Sequence, residues 1–349
     1  MPKYWKISNR SLESGIPSSG SKGGITYWVS DGGPLDQPES WTKASANQFK
    51  TLLLGAVDQF PNLEHGNHEN QSQVALFVHG YNVDWKDAAR RYEKLCGDLF
   101  NGGQNLGICV SFDWPSCGSI LGYLPDRAHA RECAADLADV LSDLFEILRE
   151  RQLAVENDTA DACKAKVALI GHSMGNYLTQ KALSTVWTRK NQPLSVSLIN
   201  QLVMVAADVD NDLFEPTGSD STDGNAVANL SYRVTALYSG RDAVLGASAG
   251  LKHFGTRRLG RSGLSGRPPG AGNPSTEKDN VWDLDCSSFF PGNVDGMAIH
   301  SAYFETSEVI LLMADLLRGI DRSVLTTLGR TTGSAWPPAS INTSSADAE

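Results

Sequence analysis

The sequence lacks the features that direct a chain to a membrane, to nucleic acid or to the cell exterior. It has no apolar run near the roughly 18 residues that cross a bilayer. Its first residues, Met1 to Lys6, lack the apolar segment of a secretory signal. Basic residues are not in excess, since 30 Lys and Arg stand against 40 Asp and Glu for a formal net charge of -10. Such an acidic surface repels nucleic acid and anionic lipid. We therefore predict a cytoplasmic protein with no membrane span and no nucleic-acid partner, and the oligomeric state stays open.

Paired cysteines are also missing. The chain has six cysteines and no Cys-x-x-Cys pair. Cys96, Cys109 and Cys133 fall within predicted helices or strands, which favours reduced and buried side chains. A cluster of possible metal ligands, Glu64 to Glu69, lies in a polar linker with no helix to align it. We interpret that cluster as a solvated loop and predict no metal site.

What is present is a regular alternation of strand and helix patterns from Val74 onward. With 349 residues, 41% of them hydrophobic, the chain has enough apolar material for a large core. The alternation predicts an α/β fold with a mostly parallel central sheet and helices on both faces. We predict N-terminal edge strands and a helix packed on this core over residues 1–70, the α/β domain over 71–328 and a disordered tail over 329–349. The closing helix is expected from about Tyr303 to Leu317.

One stretch of this pattern carries a chemical motif. The apolar run Val167–Ile170 predicts a buried strand, and a Gly-x-Ser-x-Gly sequence centred on Ser173 follows it directly. In a chain with 33 glycines the bare motif is weak evidence, and a flexible turn is the ordinary explanation. A helix-compatible segment follows, however, so the context is the strand–turn–helix of a nucleophile elbow. We therefore predict Ser173 as a nucleophile at a helix N-terminus.

A serine nucleophile needs a base, and the base needs an orienting acid. In elbow-containing folds both follow the serine in the chain. Only His253 and His300 do so among seven histidines, and His300 lies between the last predicted strand and the last helix. Asp242, after the second strand beyond the elbow, is the leading acid, and Asp208, after the first, remains the alternative.

The same reaction needs two backbone N–H groups aimed at the developing oxyanion. Met174 follows the nucleophile and is expected to supply one. The loop after the strand Val74–Val78 begins His79-Gly80-Tyr81-Asn82, and the Tyr81 N–H is the expected second donor, with Gly80 allowing close approach of the backbone. His79 precedes the nucleophile in the chain, so we interpret it as a residue that fixes this loop.

These motifs together resemble the α/β-hydrolase superfamily, and more narrowly a bacterial esterase- and lipase-like branch whose substrates are mostly unassigned. The resemblance covers about residues 70 to 320. It implies a cofactor-free Ser–Asp–His hydrolase of a small-molecule ester or acyl substrate, with the three roles on Ser173, Asp242 and His300. We further predict a set of substrate-site residues drawn from the matching motifs and their surroundings: His79, Gly80, Asn82, Trp114, His172 and Asp208.

Two long irregular stretches, residues 208–231 and 255–280, are predicted to be loops that cover the site. The second contains a basic group, interpreted as exposed loop charge: Arg257, Arg258, Arg261 and Arg267. The leading function is cleavage of a carboxylic ester or thioester. The alternatives are amide or carbon–carbon bond hydrolysis by the same residues, and a non-catalytic binding module on a hydrolase scaffold.

Overall fold

The computed structural model describes residues 1–61, 70–116, 123–156, 165–189, 198–252, 255–265 and 280–329. Within these residues the strands form one nine-stranded sheet in the order β3-β2-β1-β5-β4-β6-β7-β8-β9. From β1 to β9 every pairing along this order is parallel. The strands are β1 Tyr4–Glu13, β2 Ile16–Ser30, β3 Thr42–Ala44, β4 Gln73–Val78, β5 Gly107–Asp113, β6 Lys166–His172, β7 Ile199–Val205, β8 Ser231–Tyr238 and β9 Val281–Asp285.

Helices cover both faces of this sheet. Alternate side chains of a strand point to opposite faces, and along β4 Leu76 belongs to one core cluster while Phe77 belongs to the other. The first cluster includes residues of α3 (Tyr123–Glu156), α4 (Met174–Arg189) and α5 (Ser221–Leu230), and the second includes residues of α2 (Trp85–Leu95) and α9 (Ser307–Arg318). The predicted α/β architecture is therefore confirmed. The helices are α1 Ala46–Val57, α2 Trp85–Leu95, α3 Tyr123–Glu156, α4 Met174–Arg189, α5 Ser221–Leu230, α6 Ala243–Lys252, α7 Leu259–Ser262, α8 Gly296–Ala302, α9 Ser307–Arg318 and α10 Arg322–Thr327.

The N-terminal hairpin extends the central sheet. The prediction that both early strands are edge strands is wrong, because β1 pairs antiparallel with β2 and parallel with β5, and β2 also pairs with β3. The polar side chains of Lys6, Ser8 and Arg10 in β1 are buried, since they have polar or aromatic partners inside the protein.

Two other segments differ from the prediction. Part of the stretch 208–231 is the helix α5, whose apolar residues Val227 and Leu230 are buried. The final helical region is divided into α8, which carries His300, α9 and the unpredicted α10. The expectations for Glu64 to Glu69, His253, Arg267 and the tail beyond residue 329 lie outside the described residues.

Candidate active site

Ser173 stands at the tip of a sharp turn between β6 and α4. Its φ is +53°, a left-handed value that is rare for a residue with a side chain, and its N–H donates to the Val205 carbonyl at 3.0 Å. The two motif glycines allow this turn. A Cβ at Gly175 would collide with the carbonyl oxygens of Val78 and His79, and one at Gly171 would collide with the amide side chain of Asn176. This is the strand–turn–helix geometry that a nucleophile elbow requires, and the role of Ser173 as a nucleophile stays a prediction.

Ser173, His300 and Asp242 are hydrogen-bonded in series. The His300 Nε2 lies 2.8 Å from the Ser173 Oγ, and its Nδ1 lies 2.8 Å from the Asp242 Oδ2. An ionised Asp242 can only accept, so Nδ1 carries the proton and Nε2 is left to accept from the serine. The other Asp242 oxygen accepts from the Leu245 N–H at 3.0 Å, which fixes the carboxylate at the start of α6. The structure thus brings together the three residues chosen from the sequence.

The two predicted oxyanion donors flank this serine. Met174 is the first residue of α4, where a backbone N–H has no intrahelical acceptor. Tyr81 follows Gly80, at which a Cβ would be only 2.7 Å from the Ser173 Cβ. Asn82 continues the loop with a φ of +57° and an exposed side chain. Their contact with an oxyanion or a substrate remains a prediction.

The carboxylate of Asp208, the alternative acid, is bound by residues other than His300. Its carboxylate accepts from the Tyr123 hydroxyl at 2.7 Å, from Ser248 at 3.0 Å and from the Arg258 Nε at 2.8 Å. Burial acts to raise the pKa of Asp208, but attraction to Arg258 and the hydrogen bond from Tyr123 outweigh it and lower the pKa to about 2. Its backbone N–H donates to the Ser173 carbonyl at 3.1 Å, so Asp208 stabilises the turn that carries Ser173.

The position of Arg258 contradicts the sequence interpretation. The sequence predicts an exposed, charged loop residue, whereas the side chain is fully buried against Asp208 and Asp210. Arg261 is half-buried and donates to the Asp242 carbonyl, whereas Arg257 is exposed as expected. Sequence reasoning missed the buried role because the acidic partner lies 50 positions earlier in the chain.

His79 and Trp114 hold the loop before Tyr81. The two rings stack with centroids 5.4 Å apart, and the Trp114 backbone N–H donates to the His79 Nε2 at 3.2 Å. Nδ1 therefore carries the ring proton and donates to the Gly80 carbonyl at 3.0 Å. Both side chains are buried. This agrees with the loop-fixing interpretation of His79, while contact of either residue with a substrate stays a prediction.

A buried ion pair between Arg10 and Asp113 lies next to this loop, and sequence reasoning did not find it. The Arg10 Nε lies 2.7 Å from the Asp113 Oδ1, with both side chains fully buried, and Arg10 also donates to the Val83 carbonyl at 3.0 Å. Burial acts to raise the pKa of Asp113, but attraction to the charge of Arg10 outweighs it and holds the pKa well below its usual range. The pair joins β1 to the end of β5. Local sequence patterns do not predict it, because Arg10 and Asp113 are 103 residues apart in the chain.

His172 is the last residue of β6, directly before Ser173, and is 2% exposed. Its ring contacts the rings of His300 and Phe304, with centroids 5.1 and 5.2 Å away. Burial, followed by the nearby Arg91 and His300 charges, holds the pKa of His172 well below its ordinary value. The ring is therefore neutral at physiological pH.

Nowhere in the described part of the chain do three or more His, Cys, Asp or Glu side chains come together in a way that could hold a metal ion. A search of the same residues finds no helix with the length and apolar character needed to span a bilayer. The expectation that no cofactor is needed stays a prediction.

A family model described as an alpha/beta hydrolase of unknown function (DUF900) matches residues 61–314. The chain belongs to this family. The DUF900 match covers the strands β4 to β9 and all of the residues of the predicted site. It confirms the resemblance to α/β hydrolases of unassigned substrate and leaves the N-terminal hairpin outside the aligned region.

Other proteins are more distantly similar to this DUF900 member. An uncharacterized protein of Nostoc sp. (alr1448) is 25% identical over 150 residues, which make up 37% of this chain and 35% of that protein. The chain therefore matches about a third of the length of this curated relative.

Three solved structures, of a lipase, a putative hydrolase and an esterase, are weakly similar to this chain. Aspergillus fumigatus lipase B is 14% identical with a TM-score of 0.41, over 87% of this chain and 66% of that one. A putative cell surface hydrolase of Lactobacillus plantarum WCFS1 is 9% identical with a TM-score of 0.37, over 75% and 98%. The Pyrobaculum calidifontis esterase is 11% identical with a TM-score of 0.34, over 72% and 77%. At these values we infer nothing about activity from them.

Proposed function

We propose that the protein is a serine hydrolase that cleaves a carboxylic ester or thioester of a small molecule through an acyl-Ser173 intermediate. The observation that carries the proposal is the hydrogen-bonded series from Ser173 through His300 to Asp242, with 2.8 Å at each step. A serine hydroxyl becomes a useful nucleophile only when a base removes its proton, and here the base already accepts from it.

The chemistry follows from which atoms carry protons. His300 Nε2 takes the Ser173 proton as Oγ attacks the acyl carbon, and the carbonyl electrons move onto oxygen. The N–H groups of Tyr81 and Met174 stabilise that oxyanion, each worth on the order of a hundredfold in rate. His300 then protonates the departing alcohol or thiol, and activates a water that releases the acid and restores the serine. Asp242 holds the imidazole and stabilises its positive charge.

The residues predicted to form the substrate site fall into two groups, one in the loop next to Ser173 and one buried. Gly80 packs against Ser173 and Asn82 is exposed in the same loop, so we assign substrate contact to this loop. His79, Trp114, His172 and Asp208 are buried, and we assign them to support of the loop and the elbow. The Tyr81 and Tyr123 rings, 5.6 Å apart, supply an aromatic wall beside the loop.

Ser173→Ala tests the proposal directly. A fluorophosphonate probe loses fluoride when an activated serine attacks it, and the wild-type protein is expected to label and to hydrolyse p-nitrophenyl esters of at least one acyl length. The variant is expected to lose both activities and to keep its far-ultraviolet circular dichroism. Ser262→Ala removes an exposed hydroxyl from α7 and serves as the matched control. Labelling of the Ser173→Ala variant at the wild-type rate would refute the assignment.

The acid is tested by a pair of isosteric changes. Asp242→Asn leaves the histidine in the wrong tautomer, so kcat is expected to fall by about 10⁴-fold. Asp208→Asn alters a carboxylate that does not touch His300, so its main effect is expected on stability. If Asp208→Asn abolishes turnover in a folded protein while Asp242→Asn does not, the two roles are reversed.

A further inference from the structure

A second histidine forms a fixed link between α2 and the backbone of His300. The Arg91 Nη1 lies 3.0 Å from the His172 Nδ1, and the His172 Nε2 lies 2.9 Å from the His300 carbonyl oxygen. A guanidinium can only donate, so Nδ1 is the acceptor. The ring proton of the neutral His172 is therefore on Nε2, which donates to His300. The Arg91 contact thus selects the tautomer that the second contact requires.

The carbonyl that His172 binds would otherwise have no partner in its own helix. His300 is within the last turn of α8, where backbone carbonyls have no intrahelical donor. Arg91 also donates through Nη2 to the Ser301 Oγ at 3.1 Å. One half-buried guanidinium therefore reaches both the residue before the nucleophile and the residue after the histidine base.

We propose that Arg91 and His172 are positioning residues, which hold the main chain of His300 so that its imidazole stays within hydrogen-bond reach of Ser173. Asp242 orients the ring of His300 from one side, and His172 fixes its backbone from the other. The inference rests on the proposed function for its rate measurements. The link from Arg91 to His172 can be measured without any reaction.

Two substitutions at His172 separate the hydrogen bond from simple packing. His172→Phe keeps an aromatic ring and removes the donor to the His300 carbonyl. We expect the fluorophosphonate labelling rate and kcat to fall on the order of tenfold to a hundredfold with little change in KM, because small displacements of a reacting group have effects of this size. His172→Gln keeps a side-chain N–H donor and an acceptor for Arg91, and is expected to restore most of the lost rate.

Substitution of Arg91 tests the other half of the link. Arg91→Met removes the donor to Nδ1, whereas Arg90→Met changes the neighbouring exposed arginine, which pairs with Asp36 and Asp87, and is the matched control. In ¹⁵N NMR of the imidazole nitrogens, the wild-type His172 is expected to show a neutral ring protonated at Nε2. Arg91→Met is expected to introduce the Nδ1–H tautomer and to slow labelling, and Arg90→Met to do neither.

If Arg91 and His172 act through one shared contact, the effects of their substitutions on the labelling rate should not be additive. In a His172→Phe background the further loss caused by Arg91→Met is expected to be much smaller than in the wild-type background, since the shared contact is already gone. Full additivity, or wild-type labelling by a folded His172→Phe variant, would overturn the positioning role. If the wild-type protein does not label at all, the proposed function fails instead, and the NMR comparison still tests whether Arg91 sets the His172 tautomer.

Discussion

The guanidinium of Arg258 lies fully buried against the carboxylate of Asp208, with 2.8 Å between Nε and Oδ1. This pair adjoins the turn at Ser173, because the Asp208 N–H donates to the carbonyl of Ser173. The same arginine also contacts Asp210, so it binds both aspartates, Asp208 and Asp210, in the segment after β7.

Loss of the Arg258 guanidinium is expected to lower the free energy of unfolding. Arg258→Met would leave Asp208 buried without its counter-charge, and breaking a buried pair from one side destabilises a protein by about 3–5 kcal/mol. Arg257→Met removes an exposed positive charge one residue away and is the control. Urea unfolding at neutral pH measures both free energies of unfolding. Equal stability of the two variants would show that the buried pair contributes nothing.

The pair also predicts how stability responds to acid. The folded pKa of Asp208 is about 2, below its ordinary value of 3.8. Its interactions therefore stabilise the fold at pH values above the ordinary pKa, and this contribution is lost as pH falls from about 4 through 2. The contribution is about 2 kcal/mol.

Asp208→Asn is expected to reduce the slope of the unfolding free energy against pH over this window. Asp31→Asn replaces an exposed aspartate and provides the comparison. Denaturant titrations at several pH values between 2 and 5 supply the measurement. An unchanged slope in the Asp208→Asn variant would contradict the assignment of a strongly lowered pKa.

Gly80 is expected to tolerate no side chain without loss of activity. An added Cβ would lie 2.7 Å from the Ser173 Cβ and 3.0 Å from the His172 Nδ1, so the loop or the serine must shift. A displacement of about 1 Å near a reacting group costs on the order of a hundredfold in rate. Gly240→Ala, in the loop before Asp242, meets nothing within 4 Å and is the matched control. Fluorophosphonate labelling rates compare the two, and equal rates would show that the loop has room.

Local sequence was enough to predict the parts of the fold that depend on neighbouring residues. The apolar strand before Ser173 and the helix after it follow from short-range pattern, and chain order selected His300 and Asp242. The same reasoning missed Arg10, Arg91 and Arg258, because each arginine is wholly or partly buried against partners distant in the chain. Hydrophobic pattern carries no signal for a cation whose acceptor is supplied by another element. The prediction of irregular structure at residues 221–230 failed for a related reason, since packing of apolar residues outweighed a composition rich in Asp, Gly and Asn.

The position of β1 has a consequence for any shortened version of this protein. A chain begun at residue 61, where the family alignment starts, would lose the strand that pairs with β5 and expose a row of unsatisfied backbone groups along Val110 to Asp113. It would also leave Asp113 without Arg10, in the layer that supports His79. Truncation at residue 61 is therefore expected to give a chain that aggregates rather than a smaller folded protein.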